Sequence, residues 1–188
     1  MKRLLIVVAL LVTLAPAVTA SAATPLSSQL LSGKNLSKQW STYYVENQDT
    51  ATCPESNFGR PASKSSTRAI FADHSSGTLI LEDLRVTKSP TATYAALVEA
   101  TLRCSKSKSA LSKYVTFQQV RSIQISGISN PHRAFSLAAE AGGDSVAGRV
   151  VYALKGKVVV AFAELSIQRF NAAQFKTTLE KALSKVAS

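Results

Sequence analysis

The side chains best suited to metal or redox chemistry are few in this sequence and lie far apart. The complete set is two cysteines, Cys53 and Cys104, and two histidines, His74 and His132. Their spacings do not match the paired ligands of a zinc site, and the Cys-x-x-Cys spacing of many redox pairs is absent. We therefore predict that the chain holds no metal and uses no cofactor.

The hydroxyl and carboxyl groups show no catalytic pattern either. Residues 143–148 place a serine between glycines, but they lack the Gly-x-Ser-x-Gly spacing and the strand-to-helix context of a nucleophile elbow. Glu82 and Asp83 are adjacent in a strand candidate, where neighbouring side chains point to opposite faces, so they cannot form a carboxylate pair. His74 and His132 are expected in exposed loops. We predict no catalytic site.

The densest aromatic group consists of Trp40, Tyr43 and Tyr44. Such side chains either fill a hydrophobic core or form the wall of a ligand cleft, where they favour an apolar or glycan partner. Both interpretations stay open at this point, and these three residues are the candidates for a ligand cleft.

The first residues have the pattern of a secretory signal peptide. Lys2 and Arg3 give a positive start, residues 4–14 are almost entirely apolar, and Ala20-Ser21-Ala22 provides the small-x-small site that signal peptidase accepts. We predict that residues 1–23 are a signal peptide. The alternative is an uncleaved membrane anchor, because an apolar stretch of this length can just span a bilayer.

The rest of the chain, residues 24–188, is expected to form a single secreted domain without a stable membrane anchor. Of the 188 residues, 46% are hydrophobic and 18% are charged, as in ordinary globular proteins. The formal net charge is +11, and loss of Lys2 and Arg3 lowers it to +9. Because the basic residues are spread over every segment, we predict no nucleic-acid partner. Weak attraction to an anionic cell envelope is the alternative use of this charge.

Cys53 and Cys104 are expected to form a structural disulfide, because cysteines of exported domains usually pair. The closed loop would have about 52 residues and would stabilise the fold by roughly 4 kcal/mol. Two free thiols are the alternative.

The pattern of apolar residues and turn signals predicts an α+β fold. Seven strands are expected, at residues 40–46, 67–73, 78–86, 114–125, 133–140, 145–154 and 157–165, with main helices at 90–104 and 171–186. Each half of the chain contains a hairpin followed by a capped helix. We therefore predict an antiparallel sheet with repeated hairpin-helix units and both helices packed on one face.

Four segments carry a resemblance to a known group: residues 35–40, 100–104, 143–149 and 154–160. They are similar to a helical turn that leads to tryptophan, a helix ending in cysteine, a turn into a paired strand, and an apolar hairpin. The chain resembles the extracytoplasmic sensor-type domains of actinobacteria, the group of the extracellular domain of the kinase PknH. The exported PsbP/Mog1-like fold is the second choice.

The resemblance implies an antiparallel sheet with helices and a cleft for an unidentified ligand. The PknH domain carries two disulfides, whereas this sequence has cysteines for one. We expect a secreted, non-enzymatic binding or sensor-like module for an unknown small molecule or cell-envelope component. The alternatives are a small exported hydrolase with a site assembled from scattered residues, and a basic structural protein of the cell envelope.

Overall fold

The computed structural model describes residues 26–36, 39–44, 66–104, 110–112, 115–141, 143–168 and 170–187. Two short 3-10 turns, Ser27–Gln29 and Gly33–Asn35, come first in these ranges. The strands are β1 Trp40–Tyr44, β2 Ser66–Asp73, β3 Thr78–Val86, β4 Ala110–Ser112, β5 Val115–Ile123, β6 His132–Ala141, β7 Asp144–Lys155 and β8 Val158–Ser166. The helices are α1 Pro90–Cys104 and α2 Ala172–Lys185.

All these strands belong to one antiparallel sheet, in the order β1-β2-β3-β8-β7-β6-β5-β4. The meander β1–β3 joins the meander β4–β8 where β3 pairs with β8, from Thr78 opposite Ser166 to Val86 opposite Val158. The predicted α+β class and antiparallel sheet are confirmed. The short strand β4 was not predicted, because three residues, Ala-Leu-Ser, carry almost no periodic signal.

The last hairpin closes one residue later than the sequence predicts. Lys155 pairs with Val158, so the turn consists of Gly156 and Lys157 rather than of Lys155 and Gly156. Gly156 has a φ of 57°, in the left-handed region that glycine adopts without a steric penalty.

The two helices lie on opposite faces of the sheet. α1 packs against β7, β8 and β5, and its Leu97 joins a buried cluster with Phe135 and Tyr152. α2 packs on the other face, where Phe175 and Leu179 join a separate cluster with other core residues. We call these the α1 face and the α2 face. The prediction that both helices share one face is wrong.

The sequence of β8 gives the physical reason for this arrangement. Val159 and Ala161 belong to the α1-face cluster, whereas Val160 and Phe162 belong to the α2-face cluster. A strand that is apolar at every position has to be covered on both sides. The sequence of β8 therefore predicts a central strand that is covered on both faces, and the structure confirms this.

The hairpin-helix repeat is present as an order of elements, β2-β3-α1 and β7-β8-α2. However, a two-fold axis that exchanges the antiparallel neighbours β3 and β8 would keep both helices on the same face. The observed opposite faces exclude such a relation, so the two units are not symmetric copies of one another.

The ends of both helices follow their sequence signals. α1 begins at Pro90, as predicted. The side chain of Asn171 caps α2 by accepting hydrogen bonds from Ala173 N and Gln174 N, each at 3.1 Å. The helical period predicts a buried stripe on α2 at Ala172, Phe175, Leu179, Ala182, Leu183 and Val186. All of these residues are buried except Ala172, which is exposed in the first turn.

An N-terminal segment, residues 26–36, covers part of the α2 face. Leu30 and Leu31 are buried in the core cluster there. Lys185 Nζ of α2 donates to Leu30 O, and Ala187 N donates to Gln29 Oε1 at 2.9 Å. The segment and α2 therefore form one layer over the first half of the sheet.

Candidate functional site

The predicted aromatic residues lie on strand β1. Trp40 is 8% exposed and belongs to the α2-face core cluster, so most of its ring packs against protein. The backbones of Tyr43 and Tyr44 are in β1, but their side chains lie outside the described part of the chain. A ligand cleft at these residues stays a prediction.

The predicted disulfide also lies outside the described residues, at Cys53 and at the side chain of Cys104. His74 is exposed in the β2–β3 turn, as expected. His132 was wrongly placed in an exposed loop. It begins β6 and is half-buried, with its ring nitrogens 2.9 and 3.2 Å from the carbonyl oxygens of Asn130 and Ile125.

The α2 face is open over the part of strands β5 to β7 that lies beyond the core residues Ala134 and Val151. Many described side chains on this face are exposed or half-buried, among them Glu140 at the far end of β6, although the opposite face of the same strands is largely buried under α1. We call this surface the open shelf: Gln119, Arg121, Ser136, Ala138, Ser145, Ala147 and Arg149. Strands are spaced about 4.8 Å apart, so its width is roughly 10 Å, which is enough for a small organic molecule.

The shelf has a floor of small side chains and positive charge at two sides. Arg121, Ser136 and Arg149 lie in register across β5, β6 and β7. Ala138 and Ala147 form the next row with Gln119. The two arginines therefore stand at opposite edges of the surface on which a small ligand would lie.

Arg149 is held at the border between the shelf and the covered half of the sheet. Its guanidinium carbon lies 4.8 Å from the ring centroid of Phe170 and 5.9 Å from that of Phe175. Phe175 in turn packs against Phe162, with centroids 5.5 Å apart. Both contacts are cation–π interactions, which need no oxygen acceptor for the N–H groups of the guanidinium.

Glu164 of β8 is the cross-strand partner of Arg149 on the same face. It is 3% exposed, and its Oε2 has no hydrogen-bond partner in the described part of the chain. Burial raises the pKa of this carboxyl to about 7, although the positive charge of Arg149 acts in the opposite direction. Glu164 is not among the site residues predicted from the sequence. The available signal was a carboxylate inside an otherwise apolar strand.

Gly148 allows β7 to approach β8 closely beside this pair. A Cβ atom at Gly148 would lie 2.3 Å from Glu164 O and 2.6 Å from Leu165 Cδ2. Both distances are far shorter than a normal van der Waals contact, so the glycine is required for the spacing of the two strands at Arg149.

A second buried glutamate lies on the neighbouring strand of the same face. Glu82 is 0% exposed and accepts a 2.6 Å hydrogen bond from Leu31 N of the N-terminal segment, while its Oε1 has no partner among the described residues. Burial raises the pKa of Glu82 to about 7, against the lowering effects of the Leu31 hydrogen bond and the Lys185 charge. Glu82 and Asp83 do point to opposite faces, as predicted.

The α1 face carries a different polar network. Asp83 accepts hydrogen bonds from Arg68 at 2.6 Å and from Arg85 at 2.9 and 3.1 Å. Burial alone would raise the pKa of Asp83, but the hydrogen bonds and charges of these arginines outweigh burial and lower it. Nearby, the hydroxyls of Tyr152 and Thr101 are 2.8 Å apart. This network joins β2 to β3 and β7 to α1, which is a structural role.

Among the described residues, no group of three or more histidine, cysteine or acidic side chains is arranged to hold a metal ion. Neither of the two described helices has the length and apolar character needed to cross a lipid bilayer.

Comparison with solved structures identifies a similar fold. The extracellular domain of PknH from Mycobacterium tuberculosis matches with a TM-score of 0.56 and 14% sequence identity, over 85% of this chain and 95% of that domain. The chain therefore has a fold like that of the PknH extracellular domain, as its sequence resemblance implied.

A protein of unknown function from Pseudomonas aeruginosa also matches, at 12% identity over 81% of this chain and 85% of that one. Its TM-score of 0.31 is too low to indicate a shared fold. No model of a known protein family matches the sequence, and a search of curated proteins finds no significant relative.

Proposed function

We propose that this protein is an extracytoplasmic, non-enzymatic binding module of the sensor type, which holds a small ligand on the open shelf. The observation that carries the proposal is the combination of Arg149 and Glu164 at the edge of the shelf. A guanidinium fixed by two rings and a buried carboxyl with an unpaired oxygen are costly in a purely structural role.

The similarity of fold to the extracellular domain of PknH supports the extracytoplasmic part of the proposal. The signal-peptide pattern of residues 1–23 points the same way. Intact-mass analysis of the exported protein tests this part. A mature chain that begins at Ala23 or Thr24 is expected, and a chain that keeps residues 4–14 would contradict cleavage.

Binding on the shelf is tested by an NMR screen of the folded protein against a library of small water-soluble organic molecules. The expected result is that the ligands found shift the amide signals of Ser136, Ala138 and Ala147 more than those of the α1 face. Ala147→Trp should abolish these shifts, because Ala147 is exposed in the floor of the shelf.

The matched control is Ser122→Trp, which places the same side chain at an exposed strand position on the other face. Ligands that bind the Ala147→Trp and Ser122→Trp variants equally well would refute binding on the shelf.

A further inference from the structure

Resting on the proposed function, we propose that the guanidinium of Arg149 binds the oxyanion group of a small ligand on the open shelf, and that Glu164 competes with this ligand for the guanidinium. The ligand class is a small molecule with a carboxylate or a similar oxyanion. Ligand binding would then be coupled to uptake of a proton by Glu164.

The geometry of Arg149 favours an anion that comes from outside the protein. Its ring contacts hold the guanidinium against Phe170 and Phe175, and no hydrogen bond joins this group to another residue within the described ranges. Its N–H groups thus keep their capacity to form paired hydrogen bonds to a carboxylate. Arg121, two strands away in the same row, adds a second positive charge at the far edge of the shelf.

Glu164 supplies the competition because it is the cross-strand neighbour of Arg149. When Glu164 is ionised, its charge and that of a bound oxyanion share one guanidinium, and the two negative charges repel. When Glu164 is neutral, the positive charge of Arg149 is available to the ligand alone. Since burial raises the pKa of Glu164 to about 7, the exchange occurs near neutral pH.

Other charged groups on the elements around Glu164 are already engaged or lie farther away. Glu140 of β6 is exposed on the same face, but it lies two rows beyond Arg149. On β3, Glu82 is bound by Leu31 N, and on β2, Asp73 accepts hydrogen bonds from Ser75, Ser76 and Gln39. On α2, Lys176 is paired with Glu180 at 2.6 Å, and Lys185 is bound to the N-terminal segment. Arg149 is therefore the cation with the strongest electrostatic effect on the carboxyl of Glu164.

The test is an NMR titration of the folded protein with acetate and, separately, with sulfate, at constant chloride concentration. Neither probe changes its charge between about pH 6 and pH 8.5, so any pH dependence belongs to the protein. We expect the affinity for the bound probe to fall by up to about tenfold per pH unit above pH 7, as linkage to one proton requires. Tighter binding of acetate would identify a carboxylate ligand, and tighter binding of sulfate a tetrahedral oxyanion.

Two variants separate the roles. Glu164→Gln should keep binding and lose its pH dependence, because an amide stays neutral at every pH used. Arg149→Gln should lose binding at least tenfold, whereas the matched control Arg121→Gln, an exposed arginine of the same row, should lose only about twofold to threefold. Equal losses in the two arginine variants, or a Glu164→Gln protein with unchanged pH dependence, would overturn the inference.

The outcome is distinguishable from failure of the proposed function. If library ligands bind on the shelf and Ala147→Trp abolishes their binding, but neither probe depends on Arg149, only the oxyanion inference fails. If Ala147→Trp leaves library binding unchanged, the binding function of the shelf fails.

Discussion

The two buried glutamates predict an unusual dependence of stability on pH. Glu82 and Glu164 each have a pKa raised from 4.5 to about 7 in the folded protein. Below about pH 4.5 they are protonated in both the folded and the unfolded chain, so they add no penalty. Between about pH 4.5 and pH 7 the unfolded chain ionises them, while the folded chain keeps their protons. The free energy of unfolding must therefore fall as pH rises through this window.

The size of the effect follows from the shift of each carboxyl. One pKa unit corresponds to about 1.4 kcal/mol, so each glutamate weakens folding by roughly 3 kcal/mol once the pH exceeds its folded pKa. Such a loss is a large share of the roughly 5–15 kcal/mol that stabilises an ordinary domain. Burial acts to raise the pKa of Asp73, but its hydrogen bonds to Ser75, Ser76 and Gln39 outweigh burial and lower the pKa to about 2, so its stabilisation is lost only at more acidic pH. Maximum stability is expected between about pH 4 and pH 5.

Denaturant melts of the wild-type protein at a series of pH values between about 4 and 8 measure this dependence. Glu82→Gln and Glu164→Gln should each flatten the slope and make the protein more stable than wild type at about pH 8. Both variants keep a side chain of nearly the same volume. The control is Glu99→Gln, an exposed glutamate of α1, which should leave the slope unchanged. A wild-type stability that stays level or rises between about pH 5 and pH 7 would refute the reasoning.

Three other substitutions test the packing of α2, the close approach of β7 to β8, and the predicted disulfide. Leu179→Ala should lower the free energy of unfolding by roughly 2–5 kcal/mol in denaturant melts, because this side chain is buried in the α2-face core. The exposed control Lys181→Ala should cost less than about 0.5 kcal/mol, and an equally small loss for Leu179→Ala would mean that α2 is not part of the core. Gly148→Ala should cost about 1–3 kcal/mol through its clash with β8 and weaken probe binding at Arg149, unlike Ser122→Thr, which adds a methyl group at an exposed strand position on the other face; equal stabilities would contradict the close approach. Cys104→Ser should lower the melting temperature if the predicted disulfide forms, and two titratable thiols per oxidised chain would exclude that bond.

Elements with local signals could be predicted from the sequence, because the signal and the structure involve the same few residues. Asn171 caps α2 through the next backbone N–H groups, and Pro90 starts α1. The stripe of α2 is equally local, since it is set by the helical period alone. In α1 the same period also places Leu102 on the apolar side, but Leu102 is 43% exposed, because a partly apolar stripe does not define the width of the buried face.

The candidate site could not be predicted in this way, because it depends on register between strands. Arg149 and Glu164 are separated by a hairpin and meet only through the pairing of β7 with β8. Their aromatic support, Phe170 and Phe175, comes from the segment that leads into α2. The sequence shows each of these residues, but nothing in it shows that one row of the sheet brings them together.

The wrong prediction about the helices and the position of the open shelf have the same physical origin. A helix about 10 Å wide covers roughly two or three strands of a sheet whose neighbours are about 4.8 Å apart, so two helices cannot cover both faces of eight strands. α1 covers β5, β7 and β8 on its face, whereas α2 and the N-terminal segment cover the half around β3 and β8 on the other. Because β8 is apolar on both faces, α1 and α2 both pack against it. Away from β8 the two helices cover different strands, and this is the offset between them. Part of the α2 face of β5 to β7 is left open by this offset, and Arg149 and Glu164 lie at the edge where the covered part ends.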